Sequence, residues 1–545
     1  MNRQHIKQQS STNLLRALRL SVVFHLSFAI ACFAQNINVS NGAVFDGEPN
    51  LAVNPNNTQN LVIAWMSYSL LARQVSLRTK ASFDGGRTWG AMYLQPHVSP
   101  TLHSADPTMA WHKDGTLSLC FIDYRERPDS GGIFLTQSNN GGVTWSPPKK
   151  FIDMNENSDE PLDRPWLAVD NSGGTSDGMM YLTSISPKWN PLPNQAYLKI
   201  SSDHGATWSA FRFIDGSQYP VGPYLVSPMP YPAVASDGTL HISYPSYDPT
   251  KNIYPWYVLA TSKDKGGTFE YHRIVSPKPM GPDTLSKLGA HLTVHPGDAK
   301  HLNFTWIDNR FGDTDILSIH SSDGGQTWGN PLRVNDDPVG NGVWQDLHWQ
   351  CYSTKGDLVV VWRDRRNGTG VGYEAASDIY FSVSQDDGKS FGKNVRLSDM
   401  TVPFHSILNQ SGNDFLGAVL ANDSLCVAWG DVRTGSLNIF FARAALSSTT
   451  AIERDEVKRD FDFTVRPNPA RSHFTIDVGS AIGEWMTLGI FDLLGRKVLT
   501  LFEGAVDRGD GIFECAASAL PHSGLYFVRL QSRTSSLFKA VHVIK

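Results

Sequence analysis

The chain is short of most features that would place it at a glance. Five cysteines in 545 residues are too few for a disulfide framework, and Cys32 falls in the leader discussed below. Of the rest, Cys120 and Cys426 occupy equivalent apolar stretches of different repeats and Cys515 lies in a separate C-terminal region. They and Cys351 read as free thiols, mostly buried, rather than as bridges. No apolar run after Ala34 has the length a membrane helix needs. An excess of basic charge is also missing, since 47 Lys and Arg stand against 52 Asp and Glu for a formal net charge of -5. That excludes the basic footprint expected for nucleic-acid or anionic-membrane partners. The histidines show no zinc-site spacing, and no metal or other cofactor is expected.

What is abundant is one short phrase. Ser-x-Asp-x-Gly-x-Thr-Trp recurs six times: SFDGGRTW from Ser82, SNNGGVTW from Ser138, SSDHGATW from Ser201, SKDKGGTF from Ser262, SSDGGQTW from Ser321 and SQDDGKSF from Ser384. A spacing of about 60 residues marks an array of supersecondary units. Each copy follows a β-branched and aromatic run, such as Gly132 to Thr136 or Asp315 to Ile319, that reads as a strand. The Asp side chain accepts backbone N–H groups of the turn, and Gly supplies the positive φ. Thr-Trp is expected to start the returning strand with a buried indole.

Two further strand-like runs precede each hairpin, as in Pro107 to Trp111 and Leu117 to Ile122. Four short strands per period is the size of one propeller blade. The second run often ends in an aromatic-x-Asp-x-Arg signature, at Asp123/Arg125, Asp308/Arg310, Asp364/Arg366 and Asp431/Arg433. The last continues into Leu437 to Ala442 with no hairpin phrase after it. That gives seven units, the seventh truncated and open to completion by a strand from Asn36 to Val44, with six blades as the alternative.

The hairpin phrase resembles the Asp box of bacterial neuraminidase repeats, and residues 36–446 resemble a β-propeller of the sialidase superfamily. Asn140 for Asp, Phe269 and Phe391 for Trp, and Ser390 for Thr depart from the pattern but keep its turn chemistry or aromatic bulk. The expected fold class is therefore all-β: a sialidase-like propeller followed by a small β-sandwich.

At the N-terminus, Arg3, Lys7, Arg16 and Arg19 precede an apolar run, Leu20 to Ala34, with a small-residue exit. Residues 1–34 read as a signal peptide. After Leu446 a Ser/Thr and charge-rich linker spans 447–460. From Phe461 to Lys545, strand-sized runs such as Phe474 to Val478, Met486 to Phe491 and Leu525 to Leu530 indicate a β-sandwich. Its Arg466-Pro-Asn-Pro-Ala470, Phe491-Asp-Leu-Leu-Gly-Arg496 and Gly524-Leu-Tyr526 resemble the C-terminal sorting domain of type IX secretion. The resemblance implies that secretion machinery as a partner, and a secreted or surface location.

In a propeller the boxes lie away from the face that gathers the other loops, so they are scaffold. The opposite rim receives the Asp-x-Arg pairs together with Glu48, Asp106 and Arg164 at the starts of first strands. A residue type that recurs is architecture, whereas one that breaks the recurrence is the better functional candidate. Arg164, in Asp163-Arg-Pro-Trp166, puts a cation where the first two units have Glu48 and Asp106. The glycine-rich loop after Arg366 ends in Tyr373-Glu374, and Tyr219 to Tyr224 and Pro228 to Tyr231 form an aromatic, proline-rich rim.

The resemblance implies glycans or glycoconjugates as partners and an exo-glycosidase that releases terminal sialic-acid-type sugars. Three arginines would hold the sugar carboxylate by forked hydrogen bonds. A Tyr nucleophile with its Glu, and an Asp acid/base, would complete the site. Arg164 with two of Arg310, Arg366 and Arg433 would form the clamp; Tyr373 or Tyr231, Glu374 and Asp106 would fill the other roles. The sialidase Arg-Ile-Pro motif is absent before the first box. The alternative is a non-catalytic propeller that binds polysaccharide or protein at the cell surface, with each of those arginines held by its own unit's Asp.

Overall fold

The computed structural model describes residues 36–126, 129–154, 163–186, 194–222, 230–248, 250, 255–277, 289–370, 372–409, 413–446, 463–478, 485–492, 496–505, 511–532 and 536–545. The expected leader (1–34), the expected linker (447–460) and most of the rim segment around Tyr224 and Pro228 lie outside these residues.

Between Ile37 and Ala445 the strands form seven four-stranded antiparallel sheets. Their first strands are Asp46–Asn54, His103–Trp111, Asp163–Val169, Tyr231–Val234, Ala290–Val294, Gln345–Tyr352 and Gly417–Ala421. We number the sheets one to seven in this order. Each first strand touches the next, and Gly417–Ala421 touches Asp46–Asn54. The outermost strand of sheet seven is Ile37–Asn38, which pairs with Phe440 and Phe441. Because each sheet is covered by its neighbours, several second strands are buried along their whole length, as in Met180–Ile185, Leu302–Asp308 and Leu358–Asp364.

All six hairpin phrases form the same turn. In the first, Ser82 Oγ donates to Asp84 Oδ1 at 2.8 Å, and Asp84 in turn accepts from the Thr88 N–H at 2.9 Å and the Thr88 hydroxyl at 2.6 Å. Asn140 substitutes by reversing one bond, its amide donating to Thr144 Oγ1 at 2.7 Å. The expected role of Thr-Trp needs correcting. In five units the returning strand begins a few residues later, at Tyr93–Leu94 and Lys149–Asp153 for example, and only in the fourth does it follow the aromatic directly, at Glu270–Val275. The indole instead anchors the turn on the preceding sheet: Trp145 Nε1 donates to Thr79 Oγ1 at 3.1 Å, and Trp208 stacks on Phe151 with centroids 4.4 Å apart.

The C-terminal region has a three-stranded sheet (Thr464–Arg466, His473–Asp477, Ile512–Ala516) and a four-stranded one (Trp485–Phe491, Lys497–Ala505, Gly524–Ser532, Ser536–Val543). They share one core that includes Phe474, Ile476, Leu488, Ile490, Val528 and Leu530.

Candidate functional site

The site begins with a backbone irregularity written three times. Glu48, Asp106 and Arg164 each precede a proline and each adopt a left-handed conformation, with φ of 51°, 52° and 54°. Each sits where the register between first and second strand shifts, between Gly47 and Asn50, Ala105 and Thr108, and Asp163 and Trp166. A bulge of this kind re-aims a side chain. Holding a non-glycine residue there costs about 1–3 kcal/mol, which is tolerated where the surroundings over-determine it. Leu347 repeats the geometry in sheet six with φ 52°.

The bulges bring one cluster together. Arg164 donates its backbone N–H to Asp106 Oδ2 at 3.3 Å and places Nη2 3.6 Å from Asp414 Oδ2. Glu48 hydrogen-bonds Asp106. Burial, then the charges of Asp106 and Asp414, push the Glu48 carboxyl well above the usual glutamate range. Burial works against the Arg164 charge, but Asp163, Asp414, Asp106 and Glu48 outweigh it and raise the guanidinium. One cation thus faces four carboxyl groups, those of Asp163, Asp106, Asp414 and Glu48.

Two residues along the same strand, Trp166 begins an aromatic floor. Its ring lies 5.5 Å from Tyr231, 5.7 Å from Trp349 and 5.3 Å from Phe415. His291 stacks at 4.3 Å on Tyr231 and 4.1 Å on Trp349. Burial and His348 keep His291 neutral by pulling its pKa well below the usual value. These rings come from the first strands of sheets three, four, five and six, with Phe415 just ahead of sheet seven.

The other expected site residues do not converge on Arg164. Arg310 Nη2 binds Asp308 Oδ2 at 2.7 Å, while the Trp306 indole donates to the same oxygen. Arg366 Nη2 binds Asp364 at 2.8 Å, lies over the Tyr380 ring and reaches back to Asp336 beyond sheet five. Arg433 does the same with Asp431 at 2.8 Å, the Phe440 ring and Asp399. These three arginines lock sheets to one another, the role that recurrence suggests. The fourth signature differs: Asp123 accepts from His97, Val98 N–H and Ser104 instead of from Arg125.

Tyr373 and Glu374 do not form a nucleophile pair. Glu374 is exposed. The Tyr373 hydroxyl accepts from Arg363 at 3.2 Å and donates to the Leu408 carbonyl at 3.1 Å, and its ring lies under the Arg363 and Arg365 guanidiniums. Both arginines also grip buried Asp346, Arg363 through two bonds of 2.7 and 2.8 Å. Burial would raise that carboxyl, yet Arg363 and Arg365 hold it far below the usual range. Of the expected residues, then, only Asp106 and Arg164 share this cluster, and Tyr231 lies in the aromatic floor. Glu48 and Asp414 join them; the unbroken 58-residue step from Glu48 to Asp106 to Arg164 signalled the first, and nothing local signalled the second.

The sheets define an all-β chain whose structural neighbours are sialidases and related propeller glycosidases. Among solved structures these include a Hadza microbial sialidase (16% identity, covering 74% of this chain and 66% of that one, TM-score 0.39). A Dyadobacter fermentans protein of unknown function (13%, 75% and 98%, 0.39) and the NanB sialidase of Streptococcus pneumoniae (12%, 77% and 71%, 0.40) are similar. Such identities concern fold alone. No curated protein matches the chain. Residues 464–544 match the secretion system C-terminal sorting domain family. That domain addresses the chain to export, placing it at the cell surface or in the medium through the secretion machinery. Among the described residues no helix is long and apolar enough to cross a membrane.

Proposed function

We propose that this chain is an exported glycan-binding propeller whose ligand rests at the mouth framed by Glu48, Asp106, Arg164 and Asp414. In this reading the seven sheets are seven blades closed by the Ile37–Asn38 strand, spanning residues 36–446 with six Asp-box hairpins. A signal peptide (1–34), a linker (447–460) and the sorting domain (461–545) complete the chain. The observation that carries the reading is the engagement of Arg310, Arg366 and Arg433 by their own sheets' aspartates. Arg164 is then one guanidinium among carboxylates, a setting that repels a sialic acid carboxylate and suits the hydroxyl donors of neutral sugars.

The test is the secreted protein on a fluorogenic sialoside and on a glycan array. Retention on neutral glycans, lost with Asp106→Ala, together with no fluorophore release, supports the proposal. Release that disappears with Arg164→Ala overturns it in favour of exo-sialidase action.

One observation favours a hydrolytic second reading. Glu48, whose carboxyl is pushed upward by burial and by Asp106, has the form of a general acid. Turnover of neutral nitrophenyl glycosides that is abolished by Glu48→Gln would establish it.

A further inference from the structure

Asp123 is the copy of the Asp-x-Arg signature that escapes its architectural duty. In the other three copies a Trp indole and the Arg at i+2 occupy the carboxylate. Here Phe121 supplies no donor, and the strand runs on past Asp123 to Glu126, so no turn folds Arg125 back. The freed carboxylate, fully buried, takes the His97 imidazole instead.

The contacts continue outward. His97 Nδ1 lies 2.7 Å from Asp123 Oδ1, and His97 Nε2 lies 2.8 Å from Ser76 Oγ. A carboxylate can only accept, so Nδ1 carries the proton and Nε2 offers its lone pair to the Ser76 hydroxyl. Val98 N–H at 3.2 Å and Ser104 Oγ at 3.1 Å fix the carboxylate. Asp123 is 0% exposed and Ser76, at 6%, is buried as well, while the His97 side chain at 11% is the most exposed of the three, so the acid is sealed behind the base. Ser76 lies at the end of its strand, Gln74–Ser82, away from the box. A nucleophile bonded to a base that is itself oriented by a buried acid is recognised by this geometry, independent of sequence order.

We infer that Ser76, His97 and Asp123 form a nucleophilic triad that cleaves carboxylic esters, separate from the glycan mouth and independent of its reading. Ser76 Oγ bonds the acyl carbon as His97 Nε2 takes its proton. The C–O bond to the alcohol breaks, and the alcohol leaves with that proton. Water then attacks the acyl-serine, His97 takes the water proton, and Ser76 recovers it as the acid departs. Asp123 is a positioning residue. His103, whose Nδ1 accepts the Val75 N–H at 3.1 Å and so leaves Nε2 protonated, is a candidate donor to the developing oxyanion.

The test is intact-mass and peptide analysis of the full chain treated with diisopropyl fluorophosphate, with p-nitrophenyl acetate turnover alongside. One phosphoryl adduct on Ser76, and turnover falling about 10⁶-fold in Ser76→Ala and His97→Ala, is expected. Asp123→Asn should lower kcat with KM unchanged and alter the pH profile, which a merely structural carboxylate would not do. An adduct elsewhere, no adduct on folded wild-type protein, or turnover indifferent to Ser76→Ala overturns the inference and leaves a hydrogen-bonded strut between sheets one and two.

Discussion

Trp89 of the first box meets Phe441 of the seventh sheet edge to face, with ring centroids 5.2 Å apart at 76°. The two residues are joined by nothing in the local sequence, so their contact is a closure contact between the last sheet and the first. Gly86 tightens it: with φ of 84°, a Cβ there would stand 2.4 Å from the Phe441 ring.

Phe441→Ala should therefore destabilise the chain by about 3–5 kcal/mol, the usual range for a large aromatic removed from a core. Gly86→Ala should be comparably harmful, because strain and overlap coincide. Denaturant titration followed by tryptophan fluorescence would read both. A small effect from either would mean that the junction contributes little to closure.

Acid should loosen the box turns as a set. Asp203 is pulled down to about 2 by the Thr207 hydroxyl and N–H and by Ser201, and Asp264 likewise to about 2 by Thr268 and Ser262. A depressed carboxyl stabilises the fold above its unfolded value near ~3.9, and that contribution is lost as pH falls toward about 2. The second turn, built on neutral Asn140, should be indifferent. Asn140→Asp should thus make that hairpin newly acid-sensitive, measured by amide exchange at Thr144 between pH 2 and 5.

Glu48 works in the opposite sense. Its carboxyl is raised, so the native state holds a proton that the unfolded chain releases above the ordinary glutamate value, and stability falls as pH rises through that window. Glu48→Gln keeps the hydrogen-bonding shape without the proton. Its thermal midpoint should match wild type below pH 4 and exceed it at pH 7 to 8. Parallel curves across the range would refute a protonated Glu48.

How much of this was readable beforehand follows from distance along the chain. The box turns were legible because Ser82, Asp84 and Thr88 bond within four residues of one another. Asp308 with Arg310 was legible as architecture for the same reason. Glu48, Asp106 and Arg164 shared a repeat position, but their meeting depends on three bulges that residue types do not announce. Tyr373-Glu374 looked like a pair because they are adjacent, yet successive residues diverge in direction, and Arg363 and Arg365 capture only the Tyr. Ser76, His97 and Asp123 come from three separate elements, 21 and 26 residues apart, with no motif to join them.

The arginines offer the sharpest separation of architecture from binding. Asp364 is fully buried, and Arg366 is its ion-pair partner at 2.8 Å, so Arg366→Ala leaves a buried carboxylate without its counter-charge. Breaking a buried pair from one side costs about 3–5 kcal/mol. Arg164 is 19% exposed and stands 3.6 Å from Asp414, a looser contact. Its removal should leave the unfolding midpoint much nearer to wild type while abolishing retention on glycan. Measured together by calorimetry and array binding, Arg366→Ala should thus lose stability first and Arg164→Ala should lose ligand first. The reverse order would return Arg366 to the ligand clamp and remove Arg164 from it.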